Sequence, residues 1–344
     1  MDLQQFFKEN PRVAIAFSGG VDSALLLALG LVPLGTAAVR TAPMEETVPV
    51  EITAPSAMLV EAETGTVIFE KNADEQRPVA SVTKLMTLLL TFEALEEGTV
   101  SLEDQVTVSR AAAGQIGSQA LLDAGAVYSL KELLKSTIIA SANDSAYALA
   151  EYLAGTETDF VARMNERAQE LGMTDTHFVN CTGLDDGPDA GEHLTTAYDI
   201  ALMSRELLKH ERIKEYTTIW MDTVRNGQFG LANTNKLVRF YDGTTGLKTG
   251  YTSAAGYCLS ASAERNGMEL IAVVLKSPSG QQRFEDAKAL LNCGFSTYGL
   301  VHASPEEPLP PVPVQLGAQG TVQPRVDPAE GLLLAEKSRL PGLE

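Results

Sequence analysis

The sequence predicts an α+β protein in which a helical region is inserted between the two parts of one antiparallel sheet. Three observations support this prediction. Two short β-type runs cover residues 56–61 and 66–70, a long helical region follows, and the β pattern returns after residue 243. We therefore expect residues 56–303 to form one sheet from both ends of the region, with helices packed against it.

The β-type runs are separated by turn residues. Glu63-Thr64-Gly65 joins the first two runs and signals a hairpin, and Arg265-Asn266-Gly267 marks a turn between two later runs. A closing helix is predicted over residues 281–298. The later β-type runs cover residues 246–252, 256–263 and 268–275.

Helices are predicted between the two β regions, and glycines mark their ends. The first helix is apolar on nearly all sides, so we expect it to lie in the core. The predicted helices cover residues 81–95, 130–153, 157–172 and 195–210, and the stop signals are Gly98, Gly125, Gly155 and Gly172.

The composition indicates a globular chain with an acidic surface. The chain has 344 residues, 44% of them hydrophobic, and a formal net charge of −19. It can therefore bury a sizeable core, and it would be repelled by phosphate backbones and anionic lipid. We expect no nucleic-acid partner and favour a small-molecule or peptide substrate. Cys181, Cys258 and Cys293 are widely spaced without a C-x-x-C pair, which predicts buried thiols and no metal or disulfide framework.

The N-terminal residues carry a motif of a different kind. Residues 13–23 (VAIAFSGGVDS) read as a strand, a glycine-containing turn and a helix start, an arrangement that can hold phosphate. The run SGGVDS resembles the pyrophosphate-binding loop of ATP pyrophosphatases, and residues 3–30 resemble the start of that family. Because the further parallel strands of a nucleotide-binding fold are missing, we interpret residues 1–30 as a fused fragment. An ATP-dependent nucleotidyl enzyme is the alternative.

Two further segments are predicted to be connections. Residues 24–38 resemble the hydrophobic region and cleavage site of a secretory signal, with a buried helix as the alternative. We therefore expect residues 24–55 to be a signal-like segment and linker. No apolar run reaches the ~18 residues that span a bilayer. From residue 304 a Pro-rich stretch leads into a weakly β-like tail, which predicts a linker and a truncated β domain over residues 304–344.

Ser81 and Lys84 form an S-x-x-K pair on the predicted helix 81–95. Residues three apart share a helix face, so the hydroxyl and the amine project to the same side. A serine becomes a nucleophile when a base takes its proton, and a lysine can be that base only if its pKa is lowered. For this motif taken alone, an exposed pair near a helix start is the alternative.

Two other short motifs could complete such a site. Ser141 and Asn143 lie in an otherwise apolar helical stretch, where a hydroxyl and an amide are unfavourable unless they are paired. A helix cap or turn is the alternative. Lys248, Thr249 and Gly250 lie in the predicted strand 246–252, where glycine often permits the close approach of another backbone. The alternative is an exposed lysine before a turn.

The three motifs follow one another in a diagnostic order. S-x-N begins 60 residues after S-x-x-K, and K-T-G begins 107 residues after that. This is the active-site set shared by penicillin-binding proteins and serine β-lactamases. Residues 54 to about 303 resemble a low-molecular-mass penicillin-binding protein of the D-alanyl-D-alanine carboxypeptidase family, sporulation-associated type. Further similar stretches lie at residues 70–87, 138–155, 176–184, 233–237 and 246–263.

The resemblance implies a penicillin-binding-protein or β-lactamase-like fold and a role for each motif residue. Ser81 would attack the penultimate D-Ala carbonyl, and Lys84 would act as its base. Ser141 would pass the proton to the leaving D-alanine, and Asn143 would orient the acyl chain and Lys84. The backbone N–H groups of Ser81 and Tyr251 would form the oxyanion hole.

The resemblance also implies how the substrate is held. Lys248, with Thr249, would attract the terminal carboxylate of the substrate and keep the pKa of the cationic network low, and Gly250 completes that binding strand. Arg283 corresponds to a family arginine that helps to recognise the same carboxylate, with an ordinary surface arginine as the alternative. His193 is a further family-like position, for which a structural role is the simpler interpretation.

The expected partners are a peptidoglycan stem peptide ending in D-Ala-D-Ala and β-lactam antibiotics as covalent inhibitors, with no cofactor. The expected location is outside the cytoplasmic membrane. Membrane association is typical of the family, through a C-terminal amphipathic helix that residues 304–344 do not contain.

The alternatives are a β-lactamase of the same fold, for which we find no Glu-x-x-Leu-Asn segment, and a catalytically silent peptidoglycan-binding module, which would have lost a motif residue.

Overall fold

The computed structural model describes residues 50–302 without a break, together with residues 312–313, 321–322 and 332–337. The pyrophosphatase-like run at residues 18–23 and the signal-like residues 24–38 lie outside the described residues. Within the described part, the chain divides into a larger unit that ends at residue 298 and a smaller unit that begins at residue 299.

The larger unit alternates short strands and helices. Its strands are β1 (Ser56–Glu61), β2 (Val67–Lys71), β3 (Gln105–Thr107), β4 (Val127–Ser129), β5 (Met221–Val224), β6 (Phe229–Ala232), β7 (Thr244–Thr252), β8 (Gly256–Arg265) and β9 (Met268–Ser277). Its helices are α1 (Lys84–Glu96), α2 (Arg110–Ala113), α3 (Leu130–Ile139), α4 (Asn143–Ala154), α5 (Glu157–Glu170), α6 (Ala197–Leu208), α7 (Lys214–Thr217), α8 (Leu237–Phe240) and α9 (Gly280–Thr297).

A five-stranded antiparallel sheet in the order β2-β1-β9-β8-β7 joins the two ends of the unit. The central pair places Ala57 opposite Val274 and Leu59 opposite Ala272, and every residue of β1 is buried. A strand that is buried on both faces loses the polar alternation of a surface strand. The predicted α+β layout, with a helical region inserted between two parts of one sheet, is confirmed.

The predicted helix 81–95 is the centre of the hydrophobic core. It begins as a 3-10 turn over Ala80–Thr83 and continues as α1, whose side chains are buried on almost every face. It packs against α6 on one side and against α4 on another. The predicted burial of the Lys84 amine follows from this central position.

One predicted helix is wrong in an informative way. Residues 130–153 form two helices, α3 and α4, because the chain turns sharply at Ser141, whose φ is +61°. A non-glycine residue adopts this left-handed conformation only when surrounding contacts impose it. The side chain of Ser141 thereby leaves the helix surface. The other predicted helices agree with the structure to within two residues at either end, apart from the 3-10 start of the first.

The smaller unit contains four short strands in its described residues. Strand β10 (Tyr298–His302) pairs with β13 (Leu332–Glu336), and β11 (Val312–Pro313) pairs with β12 (Thr321–Val322). The division of residues 304–344 into a linker and a partial β domain stays a prediction. Among the described helices of the whole chain, none is both long enough and apolar enough to cross a bilayer.

Candidate active site

The S-x-x-K pair lies at the junction between the 3-10 turn and α1. Ser81 is half-buried on the turn, and Lys84 is the first residue of α1 and is completely buried. The Lys84 Nζ lies 2.9 Å from the Ser81 Oγ. The expectation that both groups project to one side therefore holds, although a 3-10 turn rather than an α-helix carries the serine.

Lys84 has two further partners, both of them oxygen atoms. Its Nζ donates to the Asn143 Oδ1 at 2.6 Å and to the Thr182 carbonyl oxygen at 2.8 Å. Burial lowers the pKa of Lys84 to about 7, against the opposing effects of Cys181 and Asp144. An appreciable fraction of the amine is therefore unprotonated near neutral pH, as a general base requires.

Asn143 is fixed by backbone groups of the segment before α3. Its Nδ2 donates to the Ile116 carbonyl at 2.6 Å, and its backbone N–H donates to the Ser118 carbonyl at 2.7 Å. Since the amide nitrogen faces a carbonyl oxygen, the amide oxygen must be the atom that faces Lys84. Asn143 is therefore held in one orientation.

Ser141 and Lys248 meet on the other side of the site. The Lys248 Nζ donates to the Ser141 Oγ at 2.8 Å and to the Thr249 carbonyl at 2.9 Å. Burial lowers the pKa of Lys248 well below its ordinary value, and the charges of Lys84 and Arg283 lower it further. The left-handed turn at Ser141 is what brings its hydroxyl to strand β7.

Gly250 of β7 lies directly against the 3-10 turn that carries the serine. A Cβ atom at this position would lie 2.4 Å from the Val79 carbonyl oxygen and 3.1 Å from the backbone nitrogens of Ser81 and Val82. The predicted close approach of another backbone is confirmed, and its partner is the turn containing Ser81.

Replacing Gly250 with alanine is expected to reduce Ser81 acylation at least tenfold, because the new methyl group pushes β7 away from the turn. Stopped-flow measurement of acylation by a fluorescent penicillin checks this. Gly230→Ala is the matched control, since a Cβ at this strand position meets no atom within 4 Å. Equal rates in the two variants would contradict the steric argument.

Thr249 and Tyr251 flank Gly250 and differ in their surroundings. The Thr249 Oγ1 donates to the Thr234 Oγ1 at 2.6 Å, whereas Tyr251 is exposed over 56% of its surface and stacks on Tyr257 with a ring-centroid distance of 4.3 Å. Thr234 therefore lies beside the candidate site, and sequence reasoning does not single it out. Its only signal was the family-like stretch at residues 233–237, because a lone threonine in a loop carries no chemical pattern.

Arg283 reaches β7 from the start of α9. Its guanidinium donates to the Gly250 carbonyl at 2.9 Å and to the Cys258 carbonyl at 3.3 Å, and it lies over the Tyr257 ring at 5.5 Å. It is therefore not an ordinary solvated surface arginine. Its role in recognising a substrate carboxylate stays a prediction.

The loop over residues 180–184 supplies the carbonyl that holds Lys84. The Asn180 Oδ1 accepts hydrogen bonds from the Thr182 N–H at 3.1 Å and the Gly183 N–H at 2.6 Å. At Gly183 the φ angle is +80°, and a Cβ would lie 1.9 Å from the Ala80 carbonyl, so only glycine fits. The sequence marks this stretch as family-like but gives its residues no role.

His193 binds Thr83 of the 3-10 turn that carries Ser81, and its imidazole stays neutral. Its Nδ1 accepts a hydrogen bond from the Val179 N–H at 3.1 Å, so its Nε2 carries the proton and donates to the Thr83 Oγ1 at 2.7 Å. Burial, with a smaller effect of His177, lowers the pKa of His193 to about 4. These contacts support the structural interpretation of His193.

The motif residues converge into a chain of polar contacts that runs from Ser81 through Lys84 to Asn143, with the Ser141–Lys248 pair beside it. A serine hydroxyl next to a buried amine of lowered pKa is typical of one class of protein. These are serine enzymes that form an acyl intermediate and use a lysine as the base. In the described residues, no group of three or more His, Cys, Asp or Glu side chains could hold a metal ion.

Comparison with known proteins identifies the family. Residues 41–279 match the D-alanyl-D-alanine carboxypeptidase family. The chain is 41% identical to D-alanyl-D-alanine carboxypeptidase DacF of Bacillus subtilis over 279 residues, which are 80% of this chain and 71% of that protein. It is 36% identical to DacD of Escherichia coli over 271 residues, which are 74% of this chain and 67% of that protein.

Solved structures agree with the sequence comparison. Penicillin-binding protein D2 of Listeria monocytogenes, in its cefotaxime-bound form, matches with a TM-score of 0.66 and 33% identity over 72% of this chain and 99% of that chain. Penicillin-binding protein 5 of Haemophilus influenzae matches with a TM-score of 0.75 and 29% identity, over 85% of each chain.

This chain belongs to the D-alanyl-D-alanine carboxypeptidase family. It is a serine-type carboxypeptidase with the fold of penicillin-binding proteins. The alternatives of a β-lactamase or an ATP-dependent enzyme are not favoured, and the pyrophosphatase-like resemblance of residues 3–30 finds no support in these comparisons.

Proposed function

We propose that this protein removes the terminal D-alanine from peptidoglycan stem peptides that end in D-Ala-D-Ala, with Ser81 as the nucleophile and Lys84 as its base. The observation that carries the proposal is the 2.9 Å contact between the Ser81 Oγ and a completely buried amine. The matching family and the curated relatives carry this activity in their names.

The three partners of Lys84 determine where its lone pair points. The Asn143 amide oxygen and the Thr182 carbonyl oxygen can only accept hydrogen bonds. A neutral amine has two N–H groups, which these oxygens occupy. The lone pair is then left for the Ser81 hydroxyl, which is the partner that can donate a proton. Loss of one proton from Lys84 therefore creates a base aimed at the nucleophile.

The Ser141–Lys248 pair is suited to the departure of the leaving group. Attack of the Ser81 oxygen on the penultimate carbonyl carbon breaks the peptide bond, and the nitrogen of the leaving D-alanine must gain a proton. Ser141 can relay that proton because its hydroxyl accepts a hydrogen bond from Lys248 and can donate in turn: it gives its own proton to the nitrogen and takes one from the protonated Lys248 in its place. Water then hydrolyses the ester on Ser81 and releases the shortened peptide.

The positive charges around β7 suit a substrate that ends in a carboxylate. The Lys248 amine and the Arg283 guanidinium donate to adjacent carbonyl oxygens of the K-T-G strand, those of Thr249 and Gly250. The Thr234 hydroxyl, which accepts a hydrogen bond from Thr249, can donate beside them. A terminal carboxylate bound here would place the preceding peptide bond towards Ser81. The N–H groups of Ser81 and Tyr251 are the proposed oxyanion hole, where each such donor contributes roughly 3 kcal/mol in acyl-transfer enzymes.

The same serine is proposed to react with β-lactam antibiotics. Structures of the Listeria monocytogenes relative are described in cefotaxime-bound and ampicillin-bound forms. Intact mass spectrometry of this protein after incubation with benzylpenicillin should show the gain of one penicillin per chain. The protein should also release D-alanine from a peptide ending in D-Ala-D-Ala and release no alanine from one ending in L-Ala-L-Ala. Neither adduct nor release would overturn the proposed function.

The acylation rate should depend on pH through Lys84. The neutral amine is the reactive form, and its pKa is lowered to about 7, so the rate is expected to rise about tenfold per pH unit below that value and to level off above it. Acylation rate constants measured between pH 5 and 9 with a fluorescent penicillin check this. A rate that falls between pH 5 and 7 would contradict a lysine base.

We propose that the protein works outside the cytoplasmic membrane. The class of substrate and the signal-like character of residues 24–38 support this location. Expression of the whole chain, followed by cell fractionation and mass analysis of the N-terminus, tests it. The expected product lacks the residues before Ala37 or Ala38 and is found outside the membrane. An uncleaved chain in the cytoplasm would contradict the proposal.

A further inference from the structure

Asp144 is a completely buried carboxylate that the proposed mechanism does not use. It follows Asn143 in the first turn of α4 and has no exposed surface. Its oxygens accept hydrogen bonds from the backbone N–H groups of Ala120 at 3.0 Å, Leu122 at 3.0 Å and Ser145 at 2.8 Å. Buried charge is unfavourable unless it is well solvated by such donors. A buried carboxylate beside the active site therefore needs an explanation.

The hydrogen bonds of Asp144 connect α4 to the segment formed by residues 115–122. Asn143 contacts the same segment at its other end, through the Ile116 and Ser118 carbonyls. Half of this segment is exposed, and Ala120 and Leu122, the two residues of the segment that Asp144 binds, are buried. Asp144 and Asn143 thus attach two ends of one surface segment to the first turn of α4.

We propose that Asp144 is a positioning residue for acylation: it holds the 115–122 segment against α4, so that Asn143 stays oriented towards Lys84, and it supplies a buried negative charge beside that amine. This inference rests on the proposed function. It adds a residue that does not touch the reacting atoms but acts through Asn143 and Lys84.

The charge of Asp144 acts against the effect of burial on Lys84. The titratable groups that face Lys84 are Asp144 from α4, Cys181 from the 180–184 loop and Lys248 from β7. Burial raises the pKa of Cys181 well above its ordinary value, so this thiol is neutral near pH 7 and donates to Glu157. The effect that opposes burial and raises the pKa of Lys84 is then left to Asp144. Its removal should lower the pKa of Lys84.

The test compares Asp144→Asn with Asp286→Asn. Asp286 is also buried and also accepts hydrogen bonds from backbone N–H groups, those of Thr53 and Ala54, but it lies on α9 and has no hydrogen bond to Lys84, Asn143 or the 115–122 segment. For both variants we would measure the thermal midpoint and the pH dependence of acylation by a fluorescent penicillin.

In Asp144→Asn, the plateau rate should fall at least tenfold, because the new amide N–H₂ faces backbone donors and releases the 115–122 segment. The midpoint of the acid limb should move down by about one pH unit, since a nearby opposite charge has been removed. Asp286→Asn should lose thermal stability but keep the wild-type midpoint of the acid limb of the pH profile. If Asp144 had a merely structural role, its replacement would lower thermal stability without moving the pH midpoint of acylation. That result would overturn the proposal.

Asp144→Glu provides a second variant in case Asp144→Asn does not fold. It keeps the charge but displaces the carboxylate by one methylene, so the plateau should fall while the midpoint stays within a few tenths of a unit of the wild type. A glutamate variant with an unchanged plateau would contradict the positioning role. If the wild-type protein itself shows no acylation at Ser81, the proposed function fails instead, so the two failures are distinguishable.

Discussion

Ser81→Ala is expected to lose covalent labelling by penicillin and release of D-alanine by at least a factor of about 1,000, the scale seen when the nucleophile of a serine hydrolase is removed. The reason is that no other hydroxyl in the described residues lies next to the Lys84 amine. Ser81 is half-buried, and the change removes one hydroxyl whose hydrogen-bond partner is Lys84, so the variant should fold. Gel fluorescence after labelling and a D-alanine assay on a D-Ala-D-Ala peptide measure the two effects.

The control for this prediction is Ser260→Ala. Ser260 is completely buried in β8 and bonds to the Ser204 hydroxyl at 2.8 Å, so its replacement perturbs a buried serine outside the site. It should retain labelling even if its thermal midpoint falls. Undiminished labelling of Ser81→Ala would show that the covalent bond forms elsewhere.

Most of the sheet and the core helix could be predicted because their patterns are local. The hairpin of β1 and β2 has its turn residues within a few positions, and the apolar character of α1 extends around the whole helix. The burial of Lys84 followed directly from the second pattern. The close approach at Gly250 could also be anticipated, since glycine within a strand commonly marks such a contact.

The sequence offered the break at Ser141 only as an alternative to a continuous helix, because the residues on both sides favour a helix and the cause lies elsewhere in the chain. The left-handed conformation is supported by the bond from Lys248, which is 107 residues away. Tertiary contacts of this kind override local propensity. The sequence identified Ser141 as a site residue through its place in a motif and through the cost of burying an unpaired hydroxyl.

The partners of Lys84 were only partly accessible from the sequence. The Asn143 side chain belongs to a motif, whereas the Thr182 contact uses a backbone carbonyl, which every residue possesses. The residue type at such a position carries no information about the contact. The sequence does encode the two residues that shape the loop carrying the Thr182 carbonyl. Asn180 accepts a hydrogen bond from the Gly183 N–H, and the positive φ of Gly183 lets the loop pass Ala80.

The second large effect is expected at Lys84. Lys84→Arg keeps a positive charge and several N–H donors, but a guanidinium does not lose its proton in proteins. If Lys84 acts as the base, this variant should lose acylation by at least about 1,000-fold at every pH. Lys84→Met removes both the charge and the base while it keeps much of the apolar stem, and it should be similarly inactive.

These two variants separate the roles of base and charge. If the Lys84 amine only attracted the substrate, arginine would partly take over that function. Acylation of Lys84→Arg above a tenth of the wild-type rate would therefore contradict the base assignment. Both variants leave the Asn143 amide and the Thr182 carbonyl with altered partners, which costs about 1–3 kcal/mol of stability for each buried group left unpaired. Activity is therefore compared at a temperature where circular dichroism shows both proteins folded. Under that condition, loss of acylation in both variants at pH 9 is explained by the missing lone pair, because no further deprotonation can supply it.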